Sequence, residues 1–227
     1  MSKTHQPALG LGAFSVPDIA LILRLPQGKV RRMLNQVWDE RLGKALFGDT
    51  FSITIGDQKF VNFHVMIELF VYFELREIGA SAQRILKARN AMRTHMGTEH
   101  PFATATLLSH GKKIWYEYLG DVIDADGTRQ SNFVDMVRDY AKNIDFNADK
   151  IAERYWPMGR HHQVVVDPLH QFGMPTIAGT NINTHTLRSM FRSGETPEVL
   201  SGLFNLPLSS VQDAINFHGR ELAAKAA

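Results

Sequence analysis

The sequence predicts a mainly α-helical chain with small β elements: a winged helix-turn-helix at the front and a small three-helix unit, also helix-turn-helix-like, at the rear. Three observations carry this. Pro26 separates two short helical patterns in "FSVPDIALILRLPQGKVRRMLNQVW". Two β-rich runs flank Gly56-Asp57 in "FSITIGDQKFVNF", the place a wing would occupy. Three helical stretches, "THTLRSMFRSG", "TPEVLSGLF" and "PLSSVQDAINFHGREL", fill the rear.

Each element has a local cause. Ser15 is placed to cap the first helix, with Pro17 in its first turn and Asp18 complementing its positive end. Pro26 stops that pattern, and a second helix starts near Gln27. Val65 to Leu75 is apolar on most sides, as a buried helix requires. In "SAQRILKARNAMRTHM", Ile85, Leu86 and Met92 are expected in the core, leaving Arg84, Lys87, Arg89 and Arg93 for solvent or phosphate. In the middle, "KKIWYEY" alternates as a strand, "DADGTRQ" reads as a turn and "SNFVDMVRDYAKNI" as a helix. "RYWPMGRHHQ" reads as a linker, interrupted by Pro157 and Gly159. A strand-and-turn segment, "VVVDPLHQFGMPTIAGTNI", precedes the rear helices. There Gly194 is placed to end the first helix, and Thr196 to cap the second with Pro197 behind it. The expected division is residues 1–97 as a winged helix-turn-helix domain, 98–160 as a strand-and-helix connecting region and 161–227 as a small helical domain.

The two ends echo each other. Pro17-Asp18-Ile19 resembles Pro197-Glu198-Val199, Leu25-Pro26 resembles Leu206-Pro207, and Val30 and Leu34 match Val211 and Ile215. The charges differ. Residues 1–97 hold 13 Lys and Arg against 8 Asp and Glu, or +5, and residues 98–227 hold 12 against 15, or −3, giving the net +2. A basic front and an acidic rear suit different partners.

Placed on a helix at about 100° per residue, Gln27–Trp38 separates into two faces. Val30, Met33, Leu34, Val37 and Trp38 share one, and Lys29, Arg31, Arg32, Asn35 and Gln36 the other. Arg meets guanine edges or phosphates, while Asn and Gln can grip adenine with two hydrogen bonds. No acid lies between Gln27 and Trp38 to repel the phosphate backbone. Gln27, Lys29, Arg31, Arg32, Asn35 and Gln36 are therefore the candidate DNA contacts, with Lys59 at the expected wing tip as a further phosphate contact. A solvated basic face is the alternative. The matching rear helix has Ser209, Ser210, Gln212 and Asp213 instead, and so suits protein contact.

No catalytic or metal-binding pattern emerges, and no cofactor is expected. The absence of Cys excludes disulfides, thiolate metal sites and Cys nucleophiles. Aligning Gly127 in "DVIDADGT" with a calcium-loop glycine puts Val122 and Phe133 where carboxylates are required. His95, His100, His161, His162 and His170 lack metal-ligand spacing, and "GLGAF" has too few glycines to cradle a nucleotide. No run approaches the roughly 18–20 apolar residues of a membrane span. "MSKTHQPALGLG" lacks the apolar core of a signal peptide, so a cytoplasmic, non-membrane protein is expected.

The rear segment resembles the small-domain family known only as domain of unknown function four-three-three. The resemblance rests on the Val-rich strand, Asp167-Pro168, Gly173-Met174-Pro175, Gly179-Thr180, and Gly194 leading to Thr196-Pro197-Glu198, over about the last 65 residues. The front resembles the MerR-like helix-turn-helix of VapB-like antitoxins that carry this rear domain. "FSVPDIALILRLPQGKVRRML", the Gly79-Ala80-Ser81 step, "HPFAT" and "HGKKIW" carry that likeness. The resemblance implies a type II antitoxin that silences a PIN-like ribonuclease toxin and represses its own operon as a homodimer on double-stranded operator DNA. It places the DNA contacts on Lys29, Arg31, Arg32 and Asn35. It marks no toxin-contacting residue, and only "GRELAAKAA" follows the last domain, where many antitoxins carry a long toxin-wrapping tail. The rival reading is a MerR-like transcriptional regulator without a toxin.

Overall fold

A computed structural model describes residues 11–44, 48–105, 117 and 141–219 of the chain. These form a mainly helical protein with small sheets, divided into two compact units. One combines the chain up to Phe63 with the chain from Arg154 onward; the other is His64–Glu153. The "KKIWYEY" stretch (Glu117 excepted, which is helical), the "DADGTRQ" turn and most of "SNFVDMVRDYAKNI" lie outside the described residues.

The first unit begins with β1 (Phe14–Ser15) and α1 (Val16–Leu23). Ser15 caps α1 as expected, and Asp18 makes the cap reciprocal. The Ser15 hydroxyl accepts from the Asp18 N–H at 3.3 Å, and the Asp18 carboxylate accepts from the Ser15 N–H at 2.9 Å. Arg24 closes α1 in the left-handed region at φ 56°, and Leu25 N–H donates back to Ala20 at 2.9 Å. After Pro26 comes α2 (Gln27–Met33), which runs on as α3 (Leu34–Lys44), where the backbone widens to i→i+5 bonding. β2 (Ile53–Ile55) and β3 (Gln58–Val61) pair antiparallel across the two-residue turn at Gly56-Asp57, as expected. The sequence gives no hint of β1, which adds to the far edge of β3 with Phe14 opposite Val61.

The rear of this unit contains β6 (Val164–Val165), paired with β7 (Thr176–Ile177), and helices α6 (Thr184–Arg192), α7 (Pro197–Phe204) and α8 (Leu208–Gly219). Their core is Ile177, Leu187, Leu200, Leu206, Val211, Ala214 and Ile215. Full burial of each large aliphatic residue contributes roughly 1.5–3 kcal/mol.

The echo between the two ends extends to the backbone. Ser15 and Thr196 cap α1 and α7, both helices have eight residues, and Arg24 and Asn205 end them at φ 56° and 51°. Leu206 N–H returns to Ser201 at 3.0 Å as Leu25 does to Ala20, and Val30 and Val211 are both fully buried. Aligned on these caps, Pro17 stands opposite Glu198, so the Pro17–Pro197 match is displaced by one residue.

In the second unit, α4 (Phe63–Glu77) is buried on nearly every side from Val65 to Phe73, and α5 (Ala82–Met96) is capped by Ser81. Ile85 and Met92 are buried and Leu86 half-buried. Arg89 corrects the expectation of a solvent or phosphate role, because it is fully buried. Its Nε and Nη2 donate to Glu68 Oε2 at 3.1 and 2.6 Å, and Nη2 also donates to the Glu99 carbonyl at 2.7 Å. Helical spacing put Arg89 beside three other cations but could not show that a buried acid on α4 faces it. β4 (Ile144–Phe146) and β5 (Ala152–Tyr155) complete a small second sheet.

Two histidines, the half-buried His64 and the buried His218, make stability depend on pH. Burial, then the neighbouring His100, holds His64 down at about 4. Burial, then the nearby His185, Arg188 and Arg24, does the same for His218, also to about 4, while His218 Nε2 sits 3.0 Å from the Thr184 hydroxyl. An unfolded histidine takes its proton near pH 6.5, while these stay neutral until much lower pH. Unfolding between those limits takes up protons, so stability present above pH 6.5 is lost as pH falls. Allowing for solvent screening, each contributes on the order of 1 kcal/mol of loss by pH 5. Thermal midpoints at pH 7.5 and 5 should show the drop, and His218→Gln should show a smaller one. An equal drop in that variant would exclude His218 as a source.

Candidate nucleic-acid interface

α2 and its continuation α3 place the basic residues as the amphipathic pattern requires. Val30, Leu34, Val37 and Trp38 are buried and Met33 half-buried, while Gln27, Lys29, Arg31, Arg32 and Gln36 are exposed. Arg31 and Arg32 meet no carboxylate among the described residues. Asn35 is half-buried, one turn beyond Arg31, and its Oδ1 is enclosed with no hydrogen-bond partner among the described residues. An enclosed amide oxygen of this kind costs about 1–3 kcal/mol until it is satisfied.

A cleft of about 280 Å³ runs between this helix and the hairpin, lined by Ser15, Pro17, Arg31, Asn35, Asp57 and Lys59 among others. The structure thus brings Arg31, Asn35 and Lys59 to one place. Lys59 is not at the hairpin tip, which is Gly56-Asp57; it sits on β3, and its Nζ donates to Asp39 Oδ2 at 2.7 Å. Asp39, on α3, is buried, and it also accepts from the Ser52 hydroxyl at 2.6 Å and the Ser52 N–H at 3.0 Å. Sequence reasoning passed over this cluster because it ended the helix at Trp38. The available signal was an acid immediately after the buried stripe, which must find donors.

The rear helix differs in how it uses its polar residues. Aligned on the caps, Ser210, Gln212 and Asp213 replace Lys29, Arg31 and Arg32. Asp213 is engaged within the protein: its Oδ1 is 2.7 Å from His162 Nδ1, and its Oδ2 accepts from the Gln163 N–H at 2.8 Å. The rear also holds a second cleft, about 100 Å³, lined by Arg154, Trp156, Asp167, His170, Thr176, Gly179 and Thr180 among others. Asp167 Oδ1 accepts from the Leu169 N–H at 2.9 Å, and its Oδ2 lies 3.0 Å from His170 Nδ1.

Among the described residues no group of three or more His, Cys, Asp or Glu is placed to hold a metal ion. None of the described helices is long and apolar enough to cross a membrane.

No curated protein matches the chain. Its fold is similar to the crystal structure of Rv2018 from Mycobacterium tuberculosis, with a TM-score of 0.69 and 17% identity over 89% of this chain and 96% of that one. At that identity the likeness is one of fold. Residues 164–218, the strand pair and the three rear helices, match the family described as a protein of unknown function, DUF433.

Proposed function

We propose that this chain binds double-stranded DNA through a winged helix-turn-helix. In this reading α2 enters the major groove and the β2–β3 hairpin is the wing. The observation that carries it is the exposed row Lys29, Arg31, Arg32 and Gln36 backed by a largely buried apolar face, beside a hairpin that shares a cleft with Arg31 and Asn35. The rear copy of the same scaffold lacks the cations, so the scaffold by itself does not account for them. Through its resemblance to VapB-like antitoxins, the chain is further read as a homodimeric type II antitoxin in the cytoplasm. It would repress its own operon and neutralise a PIN-like ribonuclease toxin. Dimer symmetry would place two half-sites about one turn, roughly 34 Å, apart.

The test begins with enrichment of duplexes from a random-sequence library by the full chain. Arg31→Ala with Arg32→Ala is expected to weaken binding to an enriched duplex on the order of 100-fold in a mobility-shift titration. Undiminished binding would remove this helix from the interface. The toxin half is tested separately, by co-expression with the neighbouring reading frame. Rescue of growth is expected, and persistent toxicity would contradict it. A regulator without a toxin is the second reading, and the rear cleft around Arg154, Trp156 and His170 favours it as a place for a small ligand.

A further inference from the structure

We infer that Asp39 is a positioning residue that fixes the hairpin against the DNA-facing helix, and that Lys59 serves this clamp instead of contacting phosphate. The inference rests on the DNA-binding reading above. Asp39 is 1% exposed, and a carboxylate so placed is tolerated only when its oxygens are engaged. Three donors do so, and they come from both hairpin strands or their approach. Ser52, directly before β2, gives its N–H at 3.0 Å and its hydroxyl at 2.6 Å, and Lys59 on β3 gives its ammonium at 2.7 Å. One side chain on the continuation of α2 therefore holds both arms of the hairpin.

The neighbouring backbone is built for the same approach. A Cβ on Gly43 would stand 2.5 Å from the Asp49 carbonyl oxygen, so only glycine lets α3 lie this close to the segment entering β2. Thr50 then turns that segment, its hydroxyl donating to the Ser52 carbonyl at 2.6 Å. The spacing across the cleft between Arg31 and Asn35 on one wall and Asp57 and Gln58 on the other is what this clamp sets. With its charge matched by Asp39, Lys59 adds no cation to the interface even though its side chain remains 34% exposed.

The experiment measures affinity against salt, using a duplex enriched by the wild-type chain and a scrambled duplex, for wild type, Lys59→Gln, Asp39→Asn, the Asp39→Asn/Lys59→Gln pair, Ser52→Ala and Arg31→Ala/Arg32→Ala. Each phosphate contact contributes about 0.9 to the slope of log K against log salt. Lys59→Gln is expected to keep the wild-type slope. Asp39→Asn releases the ammonium, so its slope steepens by about 0.9, and preference for the enriched duplex falls on the order of tenfold. The pair returns to the wild-type slope while keeping the lost preference, a pattern that mere loosening of the fold does not produce. Ser52→Ala, which keeps the N–H donor and the ion pair, should lose part of the preference at an unchanged slope, and it serves if Asp39→Asn does not fold. A slope reduced by about 0.9 in Lys59→Gln alone would overturn the inference, because Lys59 would then be touching phosphate. So would wild-type preference and slope in Asp39→Asn, or in Ser52→Ala if Asp39→Asn does not fold. Wild-type binding that survives Arg31→Ala/Arg32→Ala would instead defeat the DNA-binding reading of this face, so the two failures are distinguishable.

Discussion

Gly173→Ala is expected to destabilise the protein by about 3 kcal/mol. Gly173 has φ 88°, in the region an L side chain enters only with strain, and its new Cβ would stand 2.3 Å from Phe14 Cζ and 2.9 Å from Cε1. The Phe14 ring cannot swing aside. It is fully buried, lies 6.2 Å from the Phe63 ring, and meets Gly12 on another side, where a Cβ would be 2.8 Å from Cε2. Backbone strain of roughly 1 kcal/mol therefore adds to overpacking of roughly 1–3 kcal/mol. For a chain of this size the thermal midpoint falls by roughly 6–12 °C. Phe14→Leu in the same chain should recover part of the loss, because it removes the atoms that collide. A change below about 1 kcal/mol in urea unfolding would show that the Phe14 pocket yields more easily than its packing implies. The contact matters because β1 and the loop before β7 are far apart in sequence. Both belong to the first unit, and Ala13 N–H also donates to the Phe172 carbonyl at 3.1 Å.

Arg89→Met is expected to lose about 3–5 kcal/mol, because it removes a buried cation and leaves its acid behind. Burial alone would push the Glu68 carboxyl up, but Arg89 and the His100 contact outweigh it and hold the group below its ordinary value. In the wild type that contribution is present above the ordinary carboxyl pKa and fades as pH falls through the lowered one. Without Arg89 the largest attraction offsetting burial is gone, so the native state favours the protonated acid more and its stability recovers as pH is lowered. Urea titrations at pH 7 and pH 5 should therefore converge for Arg89→Met and the wild type, which both retain His64 and His218 and so share their losses. Adding Glu68→Leu should restore much of the loss at pH 7, since an apolar pair of similar volume needs no charge compensation. Equal destabilisation in both variants would locate the cost in packing.

These two sites mark where the sequence stopped being informative. Ser15, Asp18 and Pro26 act on their nearest neighbours, so the caps and the break between α1 and α2 can be read from the chain directly. The Gly56-Asp57 hairpin and the buried α4 are local in the same way. The exposed row Lys29, Arg31, Arg32 and Gln36 follows from helical spacing once α2 is placed. Phe14 against Gly173, Arg89 against Glu68, and Lys59 against Asp39 are each set by distant elements meeting. No periodicity within one segment encodes such a meeting. β1 has the same origin: two residues make a strand only because β3 presents an edge to them.

The central claim, that α2 meets phosphate and base edges, is tested most directly by the salt dependence of duplex affinity. Fluorescence anisotropy across a salt series would compare the wild type with Arg31→Ala/Arg32→Ala. The expected result is a steep loss of affinity with salt in the wild type and a slope shallower by up to about 2 in the double variant. Superimposed slopes for the two proteins would contradict the claim.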